Sequence, residues 1–251
     1  YKRLRCALDP FYQALYVSKR LHMEMRFLEK LAVLAEVEKE IDPIRDNGPR
    51  MSPEEVKDKY GVHAIVNCPD LGAAQGMVDA CNKISATGDS VGGLVEVVVL
   101  GAPAGLGEPV FNKLDAELGR MLGIGAVKGV EIGSGFGTKD MTGFENNDQM
   151  RAEGGSVQFM SNHAGGITGG LATGQPIVAR LAVKGTPTID KPQKTVDKYT
   201  LENTDLAAIT RRDPTIVARI WPVAENYTAM VILDNLMQHY GYQELMRRVS
   251  S

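Results

Sequence analysis

Apolar residues recur at helical spacing in some stretches of this chain and run almost unbroken in others. From His22 to Ile41, Leu28, Leu31, Ala35 and Val37 fall near helical spacing and predict an amphipathic helix. The stretch DNGPRMSPEE predicts a loop and then a helix start. Ser52 is placed to cap, Pro53 suits the first turn and Glu55 completes a capping box. Pro69–Ile84 predicts a further helix, with Leu71, Ala74, Met77, Val78 and Cys81 on one face. Leu94–Leu100 is rich in β-branched residues between glycines and predicts a strand. A Gly/Pro loop follows. Glu108–Gly123 then predicts a helix with Phe111, Leu114, Leu118 and Leu122 on one stripe.

Ala126–Phe136 returns to strand character, and the polar stretch 136–158 predicts an exposed loop. Gln175–Gly185 is a clear strand pattern, and 185–200 predicts a loop with short strands. Trp221–Gly241 predicts a closing helix with Val223, Tyr227, Met230, Leu233, Met237 and Tyr240 on one side. The elements mix without a regular βαβ rhythm, which predicts an α+β fold rather than a doubly wound sheet. We see no internal repeat and read residues 1–251 as one domain.

Composition narrows the function classes. The apolar fraction of 43% and charged fraction of 24% are those of a globular protein with a sizeable core. A net charge of −3 gives no global pull toward nucleic acid or an anionic membrane surface. An anionic substrate therefore needs a local cluster of Lys and Arg. No apolar run approaches the ~20 residues that span a bilayer. Charges at Lys2, Arg3, Arg5 and Asp9 interrupt any signal-peptide core. The cytosol, or an organelle such as the plastid after removal of a transit segment, is expected. Cys6, Cys68 and Cys81 fit neither a zinc site nor a redox pair and are expected to be free thiols.

Several short motifs carry candidate chemistry. Asn162–Gly170 (NHAGGITGG) is glycine-rich but is neither a Walker loop nor a dinucleotide fingerprint. Its alternatives are a backbone that approaches a ligand and a backbone packed against a neighbour. His163 within it is a candidate ligand contact; His22, His63 and His239 read as surface or helix-face residues. No histidine has a metal-ligand partner at helical spacing, and no metal is expected. Lys184–Thr188 (KGTPT) offers a lysine and two hydroxyls to a phosphate group, or is an ordinary strand-ending turn. Thr210–Pro214 (TRRDP) sets Arg211 and Arg212 beside Asp213, as an anion-binding fork or a surface ion pair.

The order of these pieces is more specific than any one of them. GDSVGGLVEVVVLGAPAGLGEPVFNKLDAELGRML precedes GAVKGVEIGSGF, then SNHAGGITGGLATGQPIVARLAVK, TVD, RRDP and PVAENYTAMVILDNLM. From about Asn67 to about Gln243 this succession closely resembles the chorismate synthases. The resemblance implies helices sandwiched between antiparallel sheets and assembly as a homotetramer. It also implies 1,4-elimination of phosphate from 5-enolpyruvylshikimate 3-phosphate, with reduced FMN required although no net redox change occurs. NADPH or another reductant would supply the reduced flavin. By the same resemblance, FMN contacts fall on Gly125, Ala126, Gly169, Lys184, Gly185, Thr186, Pro187, Thr188 and Arg211, and Asp213 becomes the catalytic residue beside the flavin.

Some positions depart from the family pattern. Gly125 replaces an Asn, Gly185 replaces a Pro, and Arg212 stands where a His is frequent. The motifs Gly-Glu-Ser-His-Gly and Ser-Ser-Ala-Arg-Glu-Thr, the Arg-rich substrate segment and the second catalytic histidine have no counterpart in these 251 residues. Either the sequence omits mobile segments of a longer protein, which we favour, or the chain is a noncatalytic flavin- or phosphate-binding or oligomerisation remnant.

Overall fold

The computed structural model describes residues 15–17, 61, 66, 68, 71–208 and 213–241. The helix expected over 22–41, the capping box at 52–55 and residues Cys6, His22, His63, Arg211 and Arg212 lie outside them. In chain order the elements are β1 (Leu15–Val17), α1 (Leu71–Ala86), β2 (Gly93–Val99), α2 (Leu114–Gly119), β3 (Val127–Ile132), α3 (Gly143–Asn146), β4 (Met150–Glu153), β5 (Ser156–Phe159), β6 (Ile167–Thr168), β7 (Leu171–Ala172), β8 (Ile177–Val183), β9 (Gln193–Val196), β10 (Asn203–Leu206) and α4 (Val217–Tyr240). The pairs β1–β2, β4–β5, β6–β7 and β9–β10 are all antiparallel, and the fold is α+β as expected. Among the described residues no helix is long and apolar enough to cross a membrane.

The chain divides into two compact units, one of residues 1–22, 94–182 and 220–251, the other of 23–93 and 183–219. The first is built on a four-stranded sheet in the order β1-β2-β8-β3. Along β2, Val95 to Val99 are buried without alternation, so both faces of that strand are covered. β8 buries Ile177, Val178, Ala179 and Leu181 in the same way. Glu96 and Arg180 interrupt these apolar runs and meet each other across neighbouring strands. The Arg180 Nε lies 3.9 Å from Glu96 Oε2 and 3.1 Å from Glu131 Oε1 on β3.

The helix expected over 108–123 is shorter than its pattern. Glu108 and Asn112 close a turn through two backbone hydrogen bonds of 3.0 Å, so Phe111 stays outside the helix and exposed. The helix begins at Leu114 and tightens into a 3₁₀ turn over Arg120–Gly123. Its buried set is Leu114, Leu118 and Met121, while Leu122 is exposed.

The face of α4 also differs from the one predicted. Ile220, Ala224, Thr228, Ile232, Asn235 and Leu236 are buried, whereas Val223 and Met230 are exposed. Two polar residues on the buried face mislead a purely apolar count, yet both are satisfied. Thr228 Oγ1 donates to Ala224 O at 2.9 Å, and Asn235 Nδ2 donates to Glu117 Oε2 at 2.7 Å.

The stretch 136–158 is exposed but not structureless. Thr142 and Glu145 form a capping box that starts α3, and backbone hydrogen bonding to Thr142 holds the Glu145 carboxyl below its ordinary value. Gly154 and Gly155, both at positive φ, turn β4 into β5 with the type I′ signature.

Candidate functional site

In the second unit the Lys184–Thr188 turn leaves the end of β8 and is held by the segment Gly88–Gly93. Ser90 Oγ donates to Thr186 O at 2.6 Å. Thr186 Oγ1 in turn donates to Asp213 O at 3.0 Å, and Val91 N donates to Pro214 O at 2.8 Å. Lys191 Nζ pairs with Asp89 Oδ2 at 2.7 Å, and Asp190 N donates to Gly88 O at 2.8 Å. Two glycines make this contact close enough. A Cβ on Gly92 would strike Val183 O, and one on Gly185 would lie 2.9 Å from Ser90 Oγ. Lys184, Pro187 and Thr188 are left exposed.

The structure therefore brings Lys184, Gly185, Thr186, Pro187 and Thr188 together with Asp213. The carboxylate of Asp213 accepts from Arg219 Nη2 at 3.0 Å. That arginine is six residues on, and sequence reading did not single it out. Arg211 lies outside the described residues.

In the first unit Gly125 and Ala126 form the turn that feeds β3. Val127 N donates to Ile124 O at 3.0 Å, and Ala126 takes φ +68. A left-handed alanine costs about 1–2 kcal/mol, and such strain tends to sit where backbone geometry serves a site.

The glycine-rich stretch splits into two kinds of position. A Cβ on Gly165 or Gly166 would land on backbone atoms of Gly133 or Pro176, and one on Gly170 on the Lys113 side chain. For these glycines the packing alternative holds. Gly169 differs: it has φ +64 in the β6–β7 turn, and nothing stands within 4 Å of the position of its absent Cβ.

Asp148, within the stretch expected to be loop, anchors the entry to these glycines. Its carboxylate accepts from Ser161 Oγ at 2.6 Å, His163 N at 2.7 Å and Ala164 N at 2.9 Å. Burial pushes its pKa up, but these hydrogen bonds, with the nearby His163, outweigh burial and hold it below the ordinary value. The His163 ring is 3.0 Å from Ser134 Oγ through Nδ1, so its described contact is within the fold. Burial raises the Cys81 thiol pKa. Neither Cys68 nor Cys81 is in a disulfide.

Residues 22–237 match the family model described as chorismate synthase. This chain belongs to the chorismate synthase family. It is 48% identical over 187 residues to a chorismate synthase of Acetivibrio thermocellus, covering 73% of this chain and 48% of that protein. It is 51% identical over 174 residues to one of Methanosarcina barkeri, covering 69% and 48%, and 46% identical over 190 residues to one of Rhodopseudomonas palustris strain HaA2, covering 74% and 52%. The chain thus spans about half the length of the curated relatives it matches. A solved structure described as a crystal structure of chorismate synthase superposes with a TM-score of 0.60 at 24% identity, covering 88% of this chain and 66% of that one, which supports the fold.

The positions that the family resemblance assigns to a cofactor are thus an open glycine, a strained alanine turn and a braced Lys-Gly-Thr-Pro-Thr turn. Ser90 and Asp148, which hold the last turn and the glycine stretch, had no signal in the sequence beyond their place in GDSVGG and ENND.

Proposed function

We propose that this chain serves a chorismate synthase, which eliminates phosphate from 5-enolpyruvylshikimate 3-phosphate to give chorismate, as a step in aromatic amino acid biosynthesis. What carries this reading is 46–51% identity to chorismate synthases over 174–190 residues. The cofactor is reduced FMN, kept reduced by NADPH or another reductant. The residues present fit such a group. Taken unit by unit, nothing stands within 4 Å of the position of the absent Cβ of Gly169 in the first, and Lys184 is an exposed cation and Thr188 an exposed hydroxyl in the second. When bound, the reduced flavin would supply the electron density that helps phosphate leave and would assist removal of the ring hydrogen.

The chain's own groups divide the remaining work. Lys184, with Arg211, balances anionic charge through charge-assisted hydrogen bonds. The Thr186 hydroxyl is already donated to Asp213 O, so Thr186 acts as a brace and Thr188 is left for the ligand. By the family resemblance, Gly125 and Ala126 in the first unit and Gly185 and Pro187 in the second are backbone contacts of the cofactor. Asp213 acts as the acid/base group, holding and releasing a proton at its carboxylate beside the flavin; Pro214 keeps its backbone extended.

We also read 1–251 as one functional domain of a cytoplasmic or plastid enzyme that assembles as a homotetramer. Leu94–Leu100 gives the assembly little support, since Val95–Val99 are already buried within the chain. The exposed Phe136, Phe144, Met150 and Val157 are better placed to meet another subunit.

The test is chorismate formation from 5-enolpyruvylshikimate 3-phosphate with chemically reduced FMN, for the natural polypeptide and its Asp213→Asn variant. Turnover by the first, and a fall of roughly 10²–10⁴-fold in the second with flavin binding kept, are expected. Flavin binding without any turnover would favour the noncatalytic alternative. Near-normal turnover of the variant would leave Asp213 as the ion-pair partner of Arg219 alone.

A further inference from the structure

We propose that Ser90 is a positioning residue for the ligand-holding turn Lys184–Thr188. The proposal rests on the reading that this turn receives an anionic group of FMN.

Ser90 is remote from the turn in sequence, 96 residues from the carbonyl it holds, yet its hydroxyl donates to Thr186 O at 2.6 Å. That carbonyl belongs to the central residue of the turn. The same residue's side chain reaches on to Asp213 O at 3.0 Å. One hydroxyl thereby ties together the turn with the lysine and the segment with the carboxylate. Ser90 is itself fixed, because its N–H donates to Asp89 Oδ1 at 2.8 Å and Asp89 Oδ2 is paired with Lys191 at 2.7 Å. Val91 N fastens the same segment to Pro214 O at 2.8 Å.

Gly185 fits this geometry closely. A Cβ there would come within 2.9 Å of Ser90 Oγ, closer than real Cβ contacts allow. With no Cβ at 185, the serine hydroxyl can occupy that space and reach the next carbonyl. Without that bond the Thr186 carbonyl loses its donor, and the turn is free to adopt other conformations. A ligand would then bind only the fraction of molecules in the right one, and its affinity would fall by that fraction.

The experiment titrates oxidised FMN into the full chain, its Ser90→Ala variant and its Ser90→Thr variant, with thermal unfolding recorded for each. We expect Ser90→Ala to weaken FMN binding about 3- to 10-fold, the factor equivalent of one net hydrogen bond. Ser90→Thr, which keeps the hydroxyl, should restore most of the affinity. A purely structural role would lower the unfolding temperature of Ser90→Ala and leave FMN affinity unchanged, and that result overturns the proposal. Absence of FMN binding by the unaltered chain overturns the cofactor reading, and the proposal falls with it. If Ser90→Ala does not fold, Ser90→Cys examines the same bond, because a thiol is only a weak donor to the Thr186 carbonyl. A comparable loss of affinity supports the proposal, and unchanged affinity overturns it.

Discussion

The stretch Asn162–Gly170 and the turn Lys184–Thr188 have opposite relations between appearance and construction. The glycine stretch resembles a ligand loop, but Gly165, Gly166 and Gly170 face protein atoms, and only Gly169 faces open space. The turn resembles the frayed end of a strand, but it is fastened from outside by Ser90 and passes that restraint on to Asp213 through Thr186. A run of glycines is therefore not one feature. Each glycine has to be judged by what a Cβ would meet, and a short polar turn by which distant hydroxyl holds it.

The largest expected effect breaks the packed half of the glycine stretch. Gly165→Ala places a methyl on the Gly133 backbone at φ +63. The left-handed penalty and overpacking together should cost about 2–5 kcal/mol in urea unfolding. A loss below about 1 kcal/mol would show that the two backbones separate easily. In the turn, Lys184→Met should weaken FMN binding by about 1.5–3 kcal/mol with the fold intact, since the lysine is exposed. Unchanged affinity in a fluorescence titration would remove the turn from the cofactor site.

Asp148 has a smaller effect, and its sign depends on pH. Its folded-state pKa is below the ordinary 3.8, so its contribution is complete above that value and is lost as pH falls through the folded value. Asp148→Asn should cost about 1–2 kcal/mol near neutrality, because the amide has one acceptor oxygen where the carboxylate uses two, and should flatten the acid limb of the stability curve. An unaltered acid limb in pH-dependent unfolding would contradict this. The smallest effect sharpens the contrast among the glycines: Gly169→Ala should cost only about 1–2 kcal/mol of stability, from φ alone, while lowering FMN affinity. Equal losses for Gly169→Ala and Gly165→Ala would erase the distinction.

Sequence alone shows the elements whose pattern is long or unbroken. Leu94–Leu100 and Gln175–Gly185 read as strands because burial on both faces leaves a continuous apolar run, and α1 reads from its spacing. The pattern failed where local hydrogen bonding decides. Glu108–Asn112 closes a turn that an apolar stripe cannot reveal, and Thr228 and Asn235 occupy buried positions by finding partners. Thr142 and Glu145 at capping-box spacing and the Gly154-Gly155 pair were readable signals for α3 and the β4–β5 hairpin, but the polar composition around them hid both. Of the candidate site, the turn and Asp213 are singled out by the family's motif order. Ser90, Asp148 and Arg219 were not, because their roles are hydrogen bonds or ion pairs to partners that no spacing rule connects.

The charges of Glu96, Arg180 and Glu131, on β2, β8 and β3, also bear on how the sheet finds its alignment. Successive side chains on a strand point to opposite faces, so a one-residue slip of β8 would carry Arg180 away from both carboxylates. Glu96 would then remain buried with its countercharge gone, and Gly133 O would lose the guanidinium that donates to it at 2.5 Å. Apolar runs such as those of β2 and β8 discriminate poorly between registers, because any valine serves next to any other. A single arginine between two glutamates supplies that discrimination and penalises misaligned sheets during folding.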